Sequence, residues 1–76
     1  MTNLAQFAVV RLLTDRYRER GVENGALGTI LEVYEDAYEV EFSQPDGITI
    51  DWFPVGMDEV ELAPSVETVA PVRRAR

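Results

Sequence analysis

The chain has no cysteine and no histidine, and these two absences remove most of the side chains that carry out chemistry in proteins. Without cysteine the chain forms no disulfide, zinc–thiolate site or nucleophilic thiol, which fits a reducing cytoplasm. Without histidine it lacks the usual general base near neutral pH, so its serines and threonines have no partner for a catalytic triad. We therefore predict a protein that is not an enzyme, with no catalytic residues, no metal ligands and no cofactor.

Lysine is also absent, so all seven basic residues are arginines, against fourteen acidic residues and a formal net charge of -7. No basic residue lies between Val22 and Val72, a range that holds most of the acids. Such a surface repels nucleic-acid phosphates and attracts basic groups over about 8–10 Å in ordinary salt. The sequence predicts a basic partner protein, or a second copy of the chain, rather than a nucleic acid. The simpler alternative is that the charge only keeps a small protein soluble.

Long apolar runs are missing, and no segment approaches the roughly eighteen apolar residues that a membrane span needs. Residues 1–6 lack the basic start and apolar run of a signal peptide, so we expect a cytoplasmic location and no membrane partner. A chain of 76 residues holds one domain. We place it over residues 1–63, followed by a C-terminal tail at 64–76 that is mobile or docks as an extended arm on a neighbour.

What is present is a pattern of short alternating segments, which predicts five strands. Their predicted extents are 7–13, 27–34, 37–42, 48–52 and 60–62. A long polar loop follows the first strand, a Pro-Asp-Gly turn at 44–47 follows the third, and a helical turn at 57–59 precedes the fifth. This order is typical of an SH3-like barrel, so we predict an all-β fold with five strands closed into a small barrel. An OB-type barrel is the alternative, but it usually needs more residues and an added helix.

The predicted core face runs along the third and fourth strands. Tyr38, Val40 and Phe42 share one side of the third strand, while the glutamates at 39 and 41 point outward. On the fourth strand we assign residues 48, 50 and 52 to the core, which places Trp52 inside. Because proline cannot donate to a β-ladder, the segment Phe53-Pro54-Val55-Gly56 is predicted to end that strand.

A partner-binding patch is predicted from the aromatic residues that fall outside this core face. Tyr34 and Phe53 are the outward aromatics, and Pro54 and Val55 follow directly. Outward aromatics on a small protein often mark a partner or self-association surface. The patch therefore supports a protein-interaction module, or alternatively a structural domain that assembles into dimers or tetramers.

Four blocks of the sequence resemble the small bacterial proteins grouped as domain of unknown function 4926. They are Gly-Ala-Leu-Gly-Thr-Ile-Leu-Glu-Val at 25–33, Ala-Tyr-Glu-Val-Glu-Phe at 37–42, Asp-Gly at 46–47 and Asp-Glu-Val-Glu-Leu at 58–62. The resemblance covers about residues 7–62 and implies an SH3-like barrel without an established activity. Members are often encoded beside a second small protein, which implies pairing with a partner, as in the antitoxin-like or immunity-like half of a two-protein couple. The arginine-rich run at 16–20 departs from the family, which tends to be more acidic there.

Two features leave a nucleic-acid interpretation open. The Gly-x-x-Gly-Thr-Ile segment at 25–30 resembles the KOW motif of ribosomal proteins and transcription elongation factors, although acids surround it here. Arg16, Arg18 and Arg20 form a basic patch around an aromatic residue, which can bind phosphate and stack on a base. Asp15 and Glu19 dilute this patch, so a loop that pairs with acids of its own domain is favoured over a KOW-like nucleic-acid binder.

Overall fold

The computed structural model describes residues 3–63, so the predicted tail at 64–76 lies outside the described residues. Within this range the strands are β1 (Val9–Leu12), β2 (Leu27–Val33), β3 (Ala37–Ser43), β4 (Thr49–Gly56) and β5 (Val60–Leu62). Single turns of 3₁₀ helix lie at Arg18–Arg20 and, directly before β5, at Met57–Glu59. The prediction of an all-β chain with five strands and a helical turn before the last one is confirmed.

The five strands form one open sheet in the order β4-β3-β2-β1-β5. All neighbouring strands are antiparallel, and β4 and β5 are the two edges. The predicted closure into a barrel is therefore wrong for the part of the chain that the structure describes. β5 is only three residues long and pairs with β1 alone, and no ladder joins it to β4 at the opposite edge within residues 3–63.

The loop of residues 13–26, which we call the first loop, covers the core where a closed ladder would otherwise do so. The ring centroid of Tyr17 lies 4.7 Å from that of Phe53 on β4. The hydroxyl of Tyr17 donates a 2.6 Å hydrogen bond to Glu59, immediately before β5. Val22 is completely buried in the core. The side chains of the first loop thus contact the edge strand β4 and the 3₁₀ turn that precedes the other edge strand, β5.

The apolar core lies on one side of the sheet. The prediction that Tyr38, Val40 and Phe42 belong to it is confirmed. The remaining members come from every other strand and from the first loop: Val10, Leu12, Val22, Ile30, Phe53, Val55 and Val60. β2 and β3 approach so closely that a Cβ atom on Gly28 would lie 2.6 Å from Cγ1 of Val40. Burial of each such side chain contributes about 1.5–3 kcal/mol, which is the main source of stability.

β4 differs from the sequence prediction in length and in phase. Phe53 and Val55 enter the core, whereas Trp52 is 59% exposed and Ile48 is 61% exposed. The pairing of β3 with β4 shifts in register just after Phe42, opposite the start of β4. Because side chains alternate along a strand, one such irregularity moves every following side chain to the other side. The assignment of residues 48 and 52 to the core is therefore wrong.

Pro54 lies within β4 instead of ending it, because β4 is an edge strand. A proline is tolerated there when the side of its backbone that lacks an N–H faces away from the neighbouring strand. The N–H groups of Trp52 and Gly56, two residues to either side, donate to the carboxylates of Asp51 at 2.8 Å and Glu59 at 2.8 Å. Residues 52, 54 and 56 therefore offer no free N–H to another strand, which disfavours the pairing of a further strand with this edge.

Candidate protein-binding surface

The side of the sheet opposite the core carries an exposed tryptophan beside carboxylates. Glu41 on β3 lies directly opposite Trp52 on β4, and Glu39 lies opposite Pro54. Cross-strand partners project from the same side of a sheet, and Trp52 alternates with the buried Phe53. These side chains therefore share one surface, which we call the outer face: Glu39, Glu41, Trp52 and Pro54.

The acidic character of the outer face extends onto β2. Glu32 pairs with Glu39 across the β2–β3 ladder, which places two like charges opposite each other. The amide of Gln6 donates to Glu32 at 3.3 Å, which is a neutral contact. Among residues 3–63, no ion pair joins these glutamates to an arginine. Like charges directly opposite are unfavourable, so this part of the sheet carries a repulsion that remains uncompensated there.

Hydroxyl groups orient the two carboxylates of the outer face. Thr49 donates to Glu41 over 2.6 Å, and the phenol of Tyr34 donates to Glu39 over 3.2 Å. Desolvation and this bond to the Glu39 carboxylate raise the pKa of Tyr34 above its usual value of 10.0. Neutral donors fix a carboxylate without cancelling its charge, so both groups stay available to a cation.

Two arginines of the predicted basic patch pair with acids of the same domain, one in the 3₁₀ turn before β5 and one on β4. Arg16 contacts Glu59 at 2.7 Å, and Arg20 contacts Asp51 at 3.0 Å. Arg18 lies exposed on the 3₁₀ turn. Two of the three arginines thus pair with acids of their own domain, as expected from the sequence, and the role of the patch stays a prediction.

Glu59 connects the first loop to the turn before β5. Its carboxylate accepts hydrogen bonds from Tyr17, from Arg16 at 2.7 Å and from the backbone N–H of Gly56 at 2.8 Å. Desolvation alone would raise the pKa of Glu59, but these three donors outweigh it and hold the pKa below the usual 4.5. Desolvation and the bond to Glu59 raise the pKa of Tyr17. This cluster stabilises the fold, and the Glu59 carboxylate already accepts hydrogen bonds from three donors of the same domain.

The predicted partner-binding patch is only partly exposed. Tyr34 is 43% exposed and Pro54 is also exposed, but Phe53 and Val55 are core residues with 4% and 2% exposure. The prediction that Phe53 lies outside the core is therefore wrong, and Trp52 takes its place on the surface. The signal was present in the sequence, since Trp52 and Pro54 alternate with Phe53 and Val55 once proline is allowed within an edge strand.

The KOW-like segment lines a cleft of about 580 Å³ between the first loop and the turn after β3. Its walls are mostly small or apolar, and Glu23 is the only charged residue among those that line it. Lysine and arginine supply most of the electrostatic attraction to a nucleic-acid backbone, and neither lines this cleft. Gly28 serves the close approach of two strands, whereas Gly25 has open space around it and a positive φ of 94°.

The fold and the outer face define a small all-β domain with an acidic, aromatic surface. A family model described as "Domain of unknown function (DUF4926)" matches residues 6–62, and the chain belongs to that family. This match confirms the family resemblance found in the sequence. No curated protein and no solved structure matches the chain. Among residues 3–63, no helix has the length and hydrophobicity of a membrane span, and no three acidic side chains are grouped as for a metal ion.

Proposed function

We propose that this chain is a non-enzymatic protein-interaction module whose outer face binds a basic segment of another protein. The observation that carries this proposal is the exposed Trp52, which stands beside Glu41 and Glu39 with no arginine paired to either within residues 3–63. Tryptophan is enriched at the energetic centres of interfaces, and complementary charge guides association. A basic partner would also relieve the repulsion between Glu32 and Glu39.

A different protein is favoured over a second copy of this chain. In a symmetric dimer through the outer face, each copy would present the same carboxylates to the other. Juxtaposed like charges at an interface cost several kcal/mol. The charge that attracts a basic partner therefore opposes the self-assembling dimer or tetramer, at least through this surface.

A nucleic-acid partner is disfavoured by the same charges. The outer face is negative, and three of the four arginines within residues 3–63 are paired with acids, at Glu59, Asp51 and Glu61. Binding to phosphates would require these pairs to break before new ones form.

Two further proposals concern the fold class of the domain and its biological role. The antiparallel run from β1 to β4, the return of β5 to β1 and the 3₁₀ turn between β4 and β5 support an SH3-like ancestry for this open sheet. The pairing implied by the family resemblance supports a role as the antitoxin-like or immunity-like member of a cytoplasmic two-protein pair. Neither proposal changes the surface that binds.

The proposal is tested by affinity capture from a native extract with three forms of the full chain. These are the wild type, a Glu39→Gln/Glu41→Gln double variant, and a Glu19→Gln/Glu23→Gln control. The control removes the same charge from exposed positions of the first loop. We expect a stoichiometric basic protein with the wild type and the control, and its loss with the outer-face variant.

Raising the salt concentration should weaken the captured complex, because much of its attraction is electrostatic. Equal capture by the outer-face variant would contradict the proposal, as would a wild-type protein that always elutes alone. Native mass spectrometry of the purified chain completes the test, since a dimer abolished by Trp52→Ala would favour self-assembly instead.

A further inference from the structure

The first loop shows how this sheet already holds one guanidinium group. Cζ of Arg20 lies 4.1 Å from the ring centroid of Phe53, and its Nε donates to Asp51 at 3.0 Å. Asp51 and Phe53 are two residues apart on β4, so they lie on the same side of that strand. An aromatic ring and a neighbouring carboxylate on β4 therefore form an arginine-binding pair within the molecule.

The same combination recurs on the other side of β4, where no arginine among residues 3–63 is paired with it. Trp52 is 59% exposed, Glu41 lies directly across the ladder, and Glu39 lies one pair further along β3 on the same side. Directly opposed side chains have Cβ atoms about 4.5–5.5 Å apart, which lets one planar group contact the ring and a carboxylate together. Building on the proposed function, we infer that the outer face is a binding site for an arginine side chain of the partner protein.

Arginine suits this surface better than lysine. A guanidinium is planar, stacks on an aromatic face and donates several hydrogen bonds in a fixed fork, whereas an ammonium group is a compact and strongly hydrated charge. Tryptophan is the best aromatic partner for such a cation. Glu41 and Glu39 are held by Thr49 and Tyr34, so the acceptors are oriented before the ligand arrives.

The partner's arginine reaches the outer face through its side chain and not by adding a strand to β4. Strand addition requires backbone donors along an edge. On this edge Pro54 has no N–H, while the N–H groups of Trp52 and Gly56 donate to Asp51 and Glu59. The bound segment therefore lies over the outer face, with its arginine directed toward Trp52.

Short capped peptides test this inference directly on the full chain. One peptide carries arginine at alternate positions, a matched peptide carries lysine there, and a third is the arginine peptide with a methylated backbone. Trp52 is the only tryptophan of the chain, so its fluorescence reports on this site alone. We expect the arginine peptide to shift the emission and to bind about fivefold more tightly than the lysine peptide, because only a guanidinium can stack on the ring while it donates forked hydrogen bonds to a carboxylate. Backbone methylation should leave its affinity unchanged.

Substitutions on the outer face then separate the contribution of the Trp52 ring from that of the carboxylates. Binding is followed by NMR. Trp52→Leu should abolish the preference for arginine while the peptides still bind weakly, and its spectrum shows whether the fold is kept. Glu41→Gln should weaken both peptides, and Glu23→Gln should weaken neither.

Equal affinity for the two peptides, or a preference for arginine that survives Trp52→Leu, would overturn the arginine site. If that equal binding still depends on Glu39 and Glu41, the proposed binding of basic partners stands although the inference fails. Loss of binding on backbone methylation would show strand addition and would also overturn it. Absence of any binding at millimolar peptide contradicts the inference, while the capture experiment decides the proposed function separately.

Discussion

The two sides of β4 carry similar side chains in very different states. On one side, Phe53 is buried and Asp51 is paired with Arg20 from the first loop. On the other side, Trp52 is exposed and Glu41 is held only by a neutral hydroxyl. The two carboxylates differ in their partners: Asp51 is paired with an arginine, whereas Glu41 has no cation among residues 3–63, which is why we propose the outer face and not the core side as the binding surface.

The largest expected effect separates the alanine substitutions of two neighbouring aromatic residues, Phe53 and Trp52. Phe53→Ala leaves a cavity in the core and should lower the free energy of unfolding by about 3–5 kcal/mol. Trp52→Ala removes an exposed ring and should change it by about 0.5 kcal/mol or less. Urea denaturation followed by circular dichroism measures both. Similar losses for the two variants would show that the sides of β4 are not as different as the structure indicates.

The next largest effect is a difference in stability between two carboxylate substitutions, at Glu59 and at Glu39. Glu59→Ala leaves Tyr17 and the N–H of Gly56 without their acceptor, so we expect a loss of about 2–3 kcal/mol. Glu39→Ala on the outer face serves as the control, because it removes a repelled charge and one exposed hydrogen bond. Its stability should stay close to that of the wild type. A large loss in Glu39→Ala would make that carboxylate structural and weaken its assignment to binding.

A pH titration sharpens the same contrast. Because folding lowers the pKa of Glu59, its stabilising contribution is fully present above the usual 4.5 and is lost as the pH falls through the folded value. The free energy of unfolding of the wild type should therefore fall more steeply below pH 4.5 than that of Glu59→Gln. Parallel curves for the two proteins would show that Glu59 titrates as in the unfolded chain.

The smallest expected effect is a gain in stability. Glu32→Gln removes the charge opposite Glu39, and relief of such a cross-strand repulsion should add about 0.2–1 kcal/mol. The gain should shrink in high salt, because screening already weakens the repulsion in the wild type. Thermal unfolding at two salt concentrations checks this, and a loss of stability at low salt would contradict it.

Much of the fold follows from the sequence because local alternation and turn residues dominate it. The strand at 37–42, the turn at 57–59 and the last strand are all confirmed. Gly47, predicted as a turn residue, has a φ of 93° and donates to Gln44. These features depend on interactions between residues close together in the chain, and the local pattern of apolar and turn residues is enough to predict them.

The failures have two physical causes. The first cause is the register shift between β3 and β4. It places the side chain of Trp52 on the exposed side of β4, opposite to the side that simple alternation from residue 48 predicts. The second cause concerns the sheet edges: β4 and β5 form no ladder within residues 3–63, and alternation along single strands does not indicate whether distant edge strands pair. The outward position of the glutamates at 39 and 41 is predicted correctly, whereas that of Trp52, the cross-strand partner of Glu41, is not.

Alternation along β3 and β4 also has an evolutionary consequence. The side chains that would meet a partner and those that hold the sheet together occupy separate positions, so each set can mutate without disturbing the other. If the outer face binds as proposed, substitutions at Glu39, Glu41 and Trp52 would change its ligand while the folding of the sheet stayed unaltered. Related chains with the same sheet would then bind different partners.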